Sequence, residues 1–251
     1  MIILKSAADI DKMRAACRIV AGALAGLRKI VRPGVTTRQL DRFAEEYIVK
    51  HNARPAFKGY MGYPSSLCAS VDEVVVHGIP DDRELREGEI IGLDLGAVID
   101  GFYGDAAITV PVGEISPDLL RLMEVTEQSL YKGIERAVSG NRVSDISHAV
   151  QVHAESAGYS VVRDFVGHGI GRKLHEDPQV PNFGPPGQGT RLKPGMTLAI
   201  EPMINMGVSH TVILDDGWTA VTMDRKPSAH FEHTVAVTEA GPEILTLFEG
   251  D

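Results

Sequence analysis

The sequence predicts a single α+β domain made of two related halves, about residues 1–113 and 114–251. Three observations support this prediction. Each half begins with a long helical pattern followed by a shorter one, each continues into strand-like segments, and no linker rich in Pro, Gly or Ser separates the halves. A chain of 251 residues is also long enough to bury one sizeable core.

The two helices of the first half have recognisable starts. Ser6 followed by Asp9 is typical of a helix N-terminus, and Pro33-Gly34 is expected to end this helix. Thr36 and Gln39 form a capping-box pattern that predicts the second helix. The apolar residues of the first helix recur at helical spacing, at Ile10, Met13, Cys17, Val20, Leu24, Leu27 and Val31.

Strand patterns follow a loop of Gly, Pro and aromatic residues that runs from about Ala53 to Pro64. Strands are predicted at Leu67–Val71, Val74–Ile79, Ile90–Ile99 and Phe102–Val110. The last two segments flank Asp100-Gly101, a dipeptide that strongly indicates a tight hairpin.

The second half repeats the order of elements. Ser116-Pro117 is an N-cap followed by Pro at the first helical position, and this helix is predicted to run to about Val138. Ser144 is predicted to begin a shorter helix that ends at Gly158. Strands are then predicted at Ser160–Val166, Thr197–Ile204, Thr211–Leu214, Trp218–Thr222 and Phe231–Thr238. Ile146 and Leu40 occupy the same offset in the two shorter helices, which supports the relation between the halves.

The composition argues against several classes of function. A net charge of -9 argues against a phosphate-binding surface, so no specific DNA binding is expected. Cys17 and Cys68 lie in helix-like and strand-like patterns and are expected to be buried thiols, whereas a secreted domain of this size would more often carry disulfides. No apolar run is long enough for a membrane span, and MIILKSAADID lacks the layout of a signal peptide. We therefore expect a cytoplasmic protein without membrane association.

Two aspartates in the predicted hairpin are candidates for metal binding. Asp94 and Asp105 each lie in a strand pattern of apolar and small residues, where a carboxylate is costly unless it is paired or bound to a metal. A hairpin can place them side by side, and a cation would remove their mutual repulsion. The alternative for the hairpin alone is a pair of turn or capping aspartates.

The second half favours the metal interpretation. Glu201 and Glu232 are further acids in apolar strand patterns, and His168 lies among glycines that permit close approach. Four carboxylates and one imidazole differ from a thiolate zinc site, and they can hold two ions about 3.5 Å apart. One buried acid is often structural, but five such residues from both halves predict a two-metal hydrolase.

Two further histidines, His77 and His175, lie beside turns bounded by Gly or Pro, next to the predicted ligand strands. Neutral imidazoles at such positions can donate a hydrogen bond to a substrate carbonyl or to the oxyanion formed from it. The alternative is a core or loop histidine without a catalytic role, which is the usual case for a single histidine.

Several segments of the chain resemble methionine aminopeptidases of type 1, in the order and spacing of that family. They are GYMGYPSSLCASVDEVVVHGIP, GLDLGAVIDGFYGDAAITV, GHGIGRKLHEDPQVPNFGPP, LKPGMTLAIEPMIN and DGWTAVTMDRKPSAHFEHTVAVTE. Together they span most of the chain from Pro55 to Thr238. The resemblance implies the pita-bread fold, in which a pseudo-twofold repeat of helices packs on a curved, mostly antiparallel sheet.

The resemblance also implies roles for individual residues. The implied ligands of two divalent ions per chain (Co, Mn, Fe, Zn or Ni) are Asp94, Asp105, His168, Glu201 and Glu232, and Glu201 also matches the general base. His77 and His175 match the histidines that contact the scissile carbonyl or the adjacent amide. The implied pocket for the methionine side chain contains Phe57, Tyr60, Tyr63, Cys68, Leu174 and Trp218. A monovalent ion, Na or K, is implied at the backbone oxygens of Asp72, Val74 and Ser228.

Two positions depart from common members of the family. Met61 replaces a residue that is more often polar, and His230 stands where glutamine is common. Because His230 precedes Glu232 by two residues in an apparent strand, we expect both side chains on the same face. The interval of 31 residues from Glu201 to Glu232 leaves no room for the insertion of type 2 enzymes. No zinc-finger or proline-rich extension precedes Ser6, so the chain resembles the short bacterial kind.

The resemblance implies removal of the initiator methionine from new polypeptides when the second residue is small, by two-metal-assisted hydrolysis of the first peptide bond. The implied partner is the N-terminus of a nascent peptide, met transiently near the ribosome exit, and a monomer is expected. One alternative is a proline-specific peptidase of the same fold, which usually carries an extra N-terminal domain. Another is a non-catalytic binding module of this fold, which would have lost metal ligands.

Overall fold

The computed structural model describes residues 2–247 and contains helices and strands in the predicted order. The helices are α1 (Ala7–Ile30), α2 (Thr37–Lys50), α3 (Pro117–Ile134) and α4 (Val143–Ser156). The strands are β1 (Arg54–Pro55), β2 (Cys68–Val71), β3 (Val74–Val76), β4 (Ile90–Ile99), β5 (Phe102–Pro111), β6 (Ser160–Val161), β7 (Gly167–Gly169), β8 (Glu176–Val180), β9 (Thr197–Ile200), β10 (Met203–Asn205), β11 (Thr211–Ile213), β12 (Ala220–Thr222), β13 (Ser228–His230), β14 (Glu232–Thr238) and β15 (Gly241–Ile244).

A curled antiparallel sheet of nine strands forms the centre of the molecule. Its main order is β1-β4-β5-β14-β9-β7-β8, with β2 beside β4 and β15 beside β14. Two smaller sheets, β13-β10-β6 and β11-β12-β3, extend it. Helix α1 lies against β4 and β5, whereas α3 lies against α4 and the strands of the second half. The predicted α+β class and the mostly antiparallel sheet are confirmed.

The predicted helix starts of the first half are confirmed in detail. The Ser6 side chain accepts a hydrogen bond from the Asp9 backbone N–H, and the Asp9 carboxylate accepts one from the Ser6 backbone N–H. Thr36 and Gln39 form the same reciprocal arrangement at the start of α2. The first helix ends at Ile30, slightly before the predicted stop at Pro33-Gly34.

Both helices of the second half differ from their predicted bounds. Helix α3 ends at Ile134 instead of Val138, because the chain then closes successive short turns, in which the Ala137 N–H donates to Ile134 O. Helix α4 is capped at Arg142, whose backbone N–H donates to the Asp145 carboxylate at 2.7 Å. Ser144 does not cap the helix, since its hydroxyl bonds the backbone of Gln188.

Several strand predictions were too long, and each has a local reason. The segment from Val74 ends at Val76 because His77 has a positive φ of 61°. The segment Thr197–Ile204 is two strands, because Pro202 lacks the N–H that a continuous ladder needs. The segment from Ser160 is only two residues long. Three other predicted strands are one or two residues shorter in the structure, where they comprise Thr211–Ile213, Ala220–Thr222 and Glu232–Thr238. The short strands β1, β7, β8, β13 and β15 were not predicted.

The hairpin of β4 and β5 is confirmed. Asp100 and Gly101 both have positive φ, 51° and 76°, as a tight hairpin turn requires. Cys17 and Cys68 are buried free thiols, as predicted. Among the helices of residues 2–247, none combines the length and apolarity that crossing a bilayer requires.

Helix α1 approaches the hairpin closely at a glycine. A Cβ on Gly104 would lie 2.8 Å from the backbone nitrogen of Cys17 and 2.9 Å from its Sγ. Gly92, in the paired strand, offers a contrast because its Cβ would meet its nearest atoms, on Ser70, at an ordinary 3.5 Å. The contact between α1 and β5 therefore depends on the missing side chain of Gly104.

We predict that Gly104→Ala lowers the free energy of unfolding by about 1–3 kcal/mol, because the methyl group must displace the backbone of α1. Gly92→Ala is the matched control and should change it by less than about 1 kcal/mol. Urea unfolding of both variants under the same metal conditions measures the difference. Equal stability of the two variants would contradict the close packing of α1 on β5.

Candidate metal centre

Five adjacent strands of the central sheet bring the five predicted ligands together. In the order β4-β5-β14-β9-β7, four strands contain one of these residues each, and the fifth residue directly follows β9. Asp94 lies in β4, Asp105 in β5, Glu232 at the start of β14, Glu201 directly after β9, and His168 in β7. Glu201 is thus outside a strand, contrary to the prediction, because Pro202 ends the ladder there.

The register of the strands explains why the side chains meet. Asp94 is opposite Ala107, and Asp105 is opposite Gly96, so the two aspartates occupy a diagonal on one face of the hairpin. Glu232 is also opposite Ala107, from the other side of β5. Since the positions facing the acids are alanine and glycine, there is room for a cluster of carboxylates on this face.

The distances in the cluster suit a metal site. Ligand atoms of Asp105, His168 and Glu232 all lie within 4.8 Å of one another. Nε2 of His168 is 3.6 Å from Oε1 of Glu201 and 4.0 Å from Oδ2 of Asp105. Nδ1 of His168 bonds the carbonyl of Gly169 at 2.9 Å, so Nδ1 carries the proton and the lone pair of Nε2 faces the carboxylates.

The donor set fits a divalent cation on electrostatic grounds. Oδ1 of Asp94, Oδ1 of Asp105 and Oε1 of Glu232 are buried and have no hydrogen-bond partner within residues 2–247. Burial raises the pKa of Asp94 to about 7. Burial and then Asp94 raise the pKa of Asp105, and burial followed by the neighbouring carboxylates raises the pKa values of Glu201 and Glu232. A cation would replace the missing partners and favour the charged forms.

Hydroxyl and amide side chains fix the backbone around two of the predicted ligands. The Thr234 hydroxyl donates to the carbonyl of Asp105 at 2.7 Å and accepts from its N–H at 3.1 Å. The Asn182 amide donates to the carbonyl of Glu201 at 3.0 Å. These contacts hold two of the predicted ligands in place without using their carboxylates, a role that the sequence did not reveal.

A cavity of about 250 Å³ opens onto the cluster. All six predicted pocket residues line it, namely Phe57, Tyr60, Tyr63, Cys68, Leu174 and Trp218. Tyr63 donates to the carbonyls of Leu67 or Gly78, at 3.1 and 3.0 Å, and its ring meets Trp218 edge to face. Cys68 is opposite Asp94 in the sheet, so the apolar end of the cavity adjoins the carboxylates.

Two predicted histidines also line the cavity. His175 is stacked on Tyr60, and its Nδ1 lies 2.9 Å from the tyrosine hydroxyl, while its ring centre is 4.1 Å from that of His168. His77 meets the edges of Phe165 and Trp218. Burial, with a smaller contribution from His175, lowers the pKa of His77 to about 4, so this imidazole is neutral at pH 7. Phe165 was not predicted as a site residue, because an isolated phenylalanine carries no such signal.

His230 lies beside the cluster, but not in the strand that was predicted for it. It ends β13, which pairs with β10 in a smaller sheet, so it does not share a strand with Glu232. Its Nε2 nevertheless lies 3.7 Å from Oε2 of Glu201. Burial, followed by His77, lowers the pKa of His230 to about 3. The other departure, Met61, lies at the rim of the cavity and is 82% exposed.

The residues predicted to bind a monovalent ion through their backbone oxygens lie close together. The Ser228 N–H donates to the carbonyl of Asp72 at 2.8 Å. The Asp72 carboxylate accepts from the N–H of Ile90 at 3.0 Å, and Val74 pairs with Val221. The role of these backbone oxygens stays a prediction.

Fold and site together define a metallopeptidase. The model of metallopeptidase family M24 matches residues 11–239, and the chain belongs to this family. Its similarity to methionine aminopeptidases extends over its whole length. It is 56% identical to the methionine aminopeptidase of Clostridium perfringens, over 99% of this chain and 100% of that protein. It is 54% identical to methionine aminopeptidase 1 of Bacillus subtilis, over 98% and 99% of the two chains.

Solved structures agree with this assignment. The methionine aminopeptidase of Thermotoga maritima superposes with a TM-score of 0.97 at 49% identity, covering 98% of this chain and 99% of that one. The prolidase of Pyrococcus furiosus shares the fold, with a TM-score of 0.79 at 22% identity, but the match covers only 65% of that chain. The pita-bread fold and the use of divalent metal are thus confirmed.

We predict that Mn²⁺ added to the chelator-treated protein raises its melting temperature by about 5–10 °C, because only the folded state holds the ligands. Since the pKa of Asp94 is raised to about 7, more protons should be released on binding at pH 6 than at pH 8. Calorimetry in buffers of different ionisation enthalpy measures this release.

Asp105→Ala should remove most of this stabilisation. Asp82→Ala is the control, since Asp82 is an exposed carboxylate paired with Arg38. An unchanged metal response of Asp105→Ala would show that the cation binds elsewhere.

Proposed function

We propose that this chain removes the N-terminal methionine from new polypeptides when the second residue is small. The observation that carries the proposal is that a cavity of about 250 Å³, lined by aromatic and sulfur-bearing residues, opens directly onto the five clustered side chains proposed as ligands. An unbranched thioether packs well against such a surface. The relatives similar over the full length of the chain are methionine aminopeptidases, which supports the same activity here.

The proposed ligands of two divalent ions, among Co, Mn, Fe, Zn and Ni, are Asp94, Asp105, His168, Glu201 and Glu232. When bound, such ions would polarise the scissile carbonyl and lower the pKa of a water molecule. Glu201 is the proposed general base. Its carboxylate lines the cavity, with Oε1 3.6 Å from Nε2 of His168, so it is placed to accept a proton from that water.

His175 and His77 are the proposed hydrogen-bond donors to the carbonyl and to the oxyanion. Tyr60 can donate its hydroxyl proton to Nδ1 of His175, which leaves Nε2 as the protonated nitrogen of a neutral ring. A preorganised neutral donor stabilises a developing negative charge without adding a second positive charge beside the substrate's ammonium group. His77 is held by aromatic edges and is likewise neutral.

The finer assignments are also proposals. The methionine side chain would occupy the space between Tyr63, Cys68 and Trp218, with Phe57, Tyr60 and Leu174 completing the wall. A Na or K ion would bind the backbone oxygens of Asp72, Val74 and Ser228. We propose a cytoplasmic monomer that meets its substrates near the ribosome exit. A proline-specific peptidase is disfavoured, because the similarity to a prolidase at 22% identity concerns the fold alone.

Cleavage should depend on the size of the residue after methionine. We predict efficient hydrolysis of Met-Ala-Ser and little hydrolysis of Met-Lys-Ser or Met-Leu-Ser, because the residue after methionine must lie close to the proposed metal ligands and His77, where a bulky side chain is excluded. Product release measured by chromatography with the metal-loaded protein gives the rates. Equal rates for Met-Ala-Ser and Met-Lys-Ser would refute the size limit, and preferential cleavage of Xaa-Pro dipeptides would favour the prolidase alternative.

The two proposed donors should affect turnover but not metal binding. We predict that His77→Ala and His175→Ala retain their metal and lower kcat by about 10²–10³, the usual effect of losing one preorganised donor. Metal content of the purified variants and kcat on Met-Ala-Ser test this. His153→Ala is the control, since His153 lies on α4 outside the cavity. Loss of metal from either cavity variant would make that histidine a ligand instead.

A further inference from the structure

A buried ion pair lies behind the loop that carries His175. Nζ of Lys5 is 2.5 Å from Oε2 of Glu176, and the two side chains are only 4% and 7% exposed. The ammonium group also donates to the carbonyl of Ile3 at 3.0 Å. Buried charges of this kind are costly to keep, and neither residue lines the cavity at the metal centre.

The carboxylate of this pair organises the loop between β7 and β8. Oε1 of Glu176 accepts from the backbone N–H of Arg172 at 2.8 Å and from that of Lys173 at 3.1 Å. Leu174 and His175, the two loop residues on the cavity wall, follow directly. One oxygen of Glu176 therefore holds the loop backbone, and the other is held by Lys5.

The space for the lysine is built into the same loop. A Cβ on Gly171 would lie 2.2 Å from Cε and 2.8 Å from Nζ of Lys5. The carbonyl of Gly171 accepts from the N–H of Tyr103 in β5, and the Lys5 backbone N–H donates to Gly195 O at 2.7 Å. The Lys5 side chain thus passes over Gly171 to reach Glu176. It links the segment before α1 to the loop between β7 and β8.

We infer that Lys5 and Glu176 form a positioning pair that sets the place of the His175 imidazole against the substrate. This inference rests on the proposed function of His175. The pair does not touch the cavity, so it acts through the backbone of residues 172–175. A displacement of about 1 Å at a reacting group can lower a rate by about a hundredfold, so a small shift of this loop is enough to matter.

The test compares Lys5→Met with the wild type, alone and in combination with His175→Ala. Methionine fills the path past Gly171 but leaves the Glu176 carboxylate without its cation. Lys5→Met alone should lower kcat on Met-Ala-Ser by about tenfold to a hundredfold, with metal content unchanged. In the His175→Ala background the same change should alter kcat by less than about twofold, because its effect passes through that ring.

Two further variants separate positioning from stability. Glu176→Gln keeps an acceptor for the loop amides but weakens the pairing with Lys5. Like Lys5→Met, it should lower kcat in the wild-type background and change kcat little in the His175→Ala background. Arg83→Met is the matched control, because Glu89 likewise joins an arginine to a backbone N–H, that of Arg86, away from the cavity. Arg83→Met should lower the melting temperature without changing kcat.

The outcomes distinguish this inference from the proposed function. Wild-type cleavage of Met-Ala-Ser reports the function, whereas the coupling between Lys5 and His175 reports the inference. Nitrogen NMR shifts of the His175 ring in Lys5→Met give a reading that does not depend on turnover, and they should change. If the loss of kcat in the variant carrying both Lys5→Met and His175→Ala equals the product of the losses in the two single variants, the positioning role is wrong. An unchanged His175 signal would also overturn it, even if Lys5→Met is less stable.

Discussion

The mutual repulsion of four carboxyl groups in one partly buried volume is the constraint on which the rest of the structure depends. No two of the four acids come from the same strand. Each side chain can therefore point to the common centre while its strand keeps regular hydrogen bonds to its neighbours. Alanine and glycine at the facing positions leave room for these groups, and Thr234 and Asn182 donate hydrogen bonds to the carbonyls of Asp105 and Glu201. The cavity, the neutral histidines and the loop of His175 are arranged around the same charges.

Much of this arrangement could be predicted from local sequence. Asp94 and Asp105 stand in apolar runs joined by Asp100-Gly101, and the hairpin follows from short-range turn chemistry. The caps at Ser6 and Thr36 are also local, because the bonds that form them span three residues. Four carboxylates and one imidazole in such contexts predict a metal centre from the sequence alone.

The parts that were missed depend on contacts between distant segments. Ser144 resembles a cap, but its hydroxyl bonds Gln188. His230 and Glu232 read as one strand, yet the chain passes from one sheet to another at Phe231. Lys5 and Glu176 are 171 positions apart, and their pairing has no signature in the sequence around either. Sequence spacing describes residues that are near one another along the chain. These contacts instead join distant segments, so they are determined only by the complete fold.

The place of β14 in the sheet has a consequence for the synthesis of the protein. This strand enters between β5 and β9, which are already translated when Glu232 is added. A growing chain that stops short of residue 232 therefore lacks the middle of its sheet, not an edge. The last predicted ligand and the last central strand arrive together, so neither the complete set of predicted ligands nor the continuous central sheet can form before this strand is synthesised.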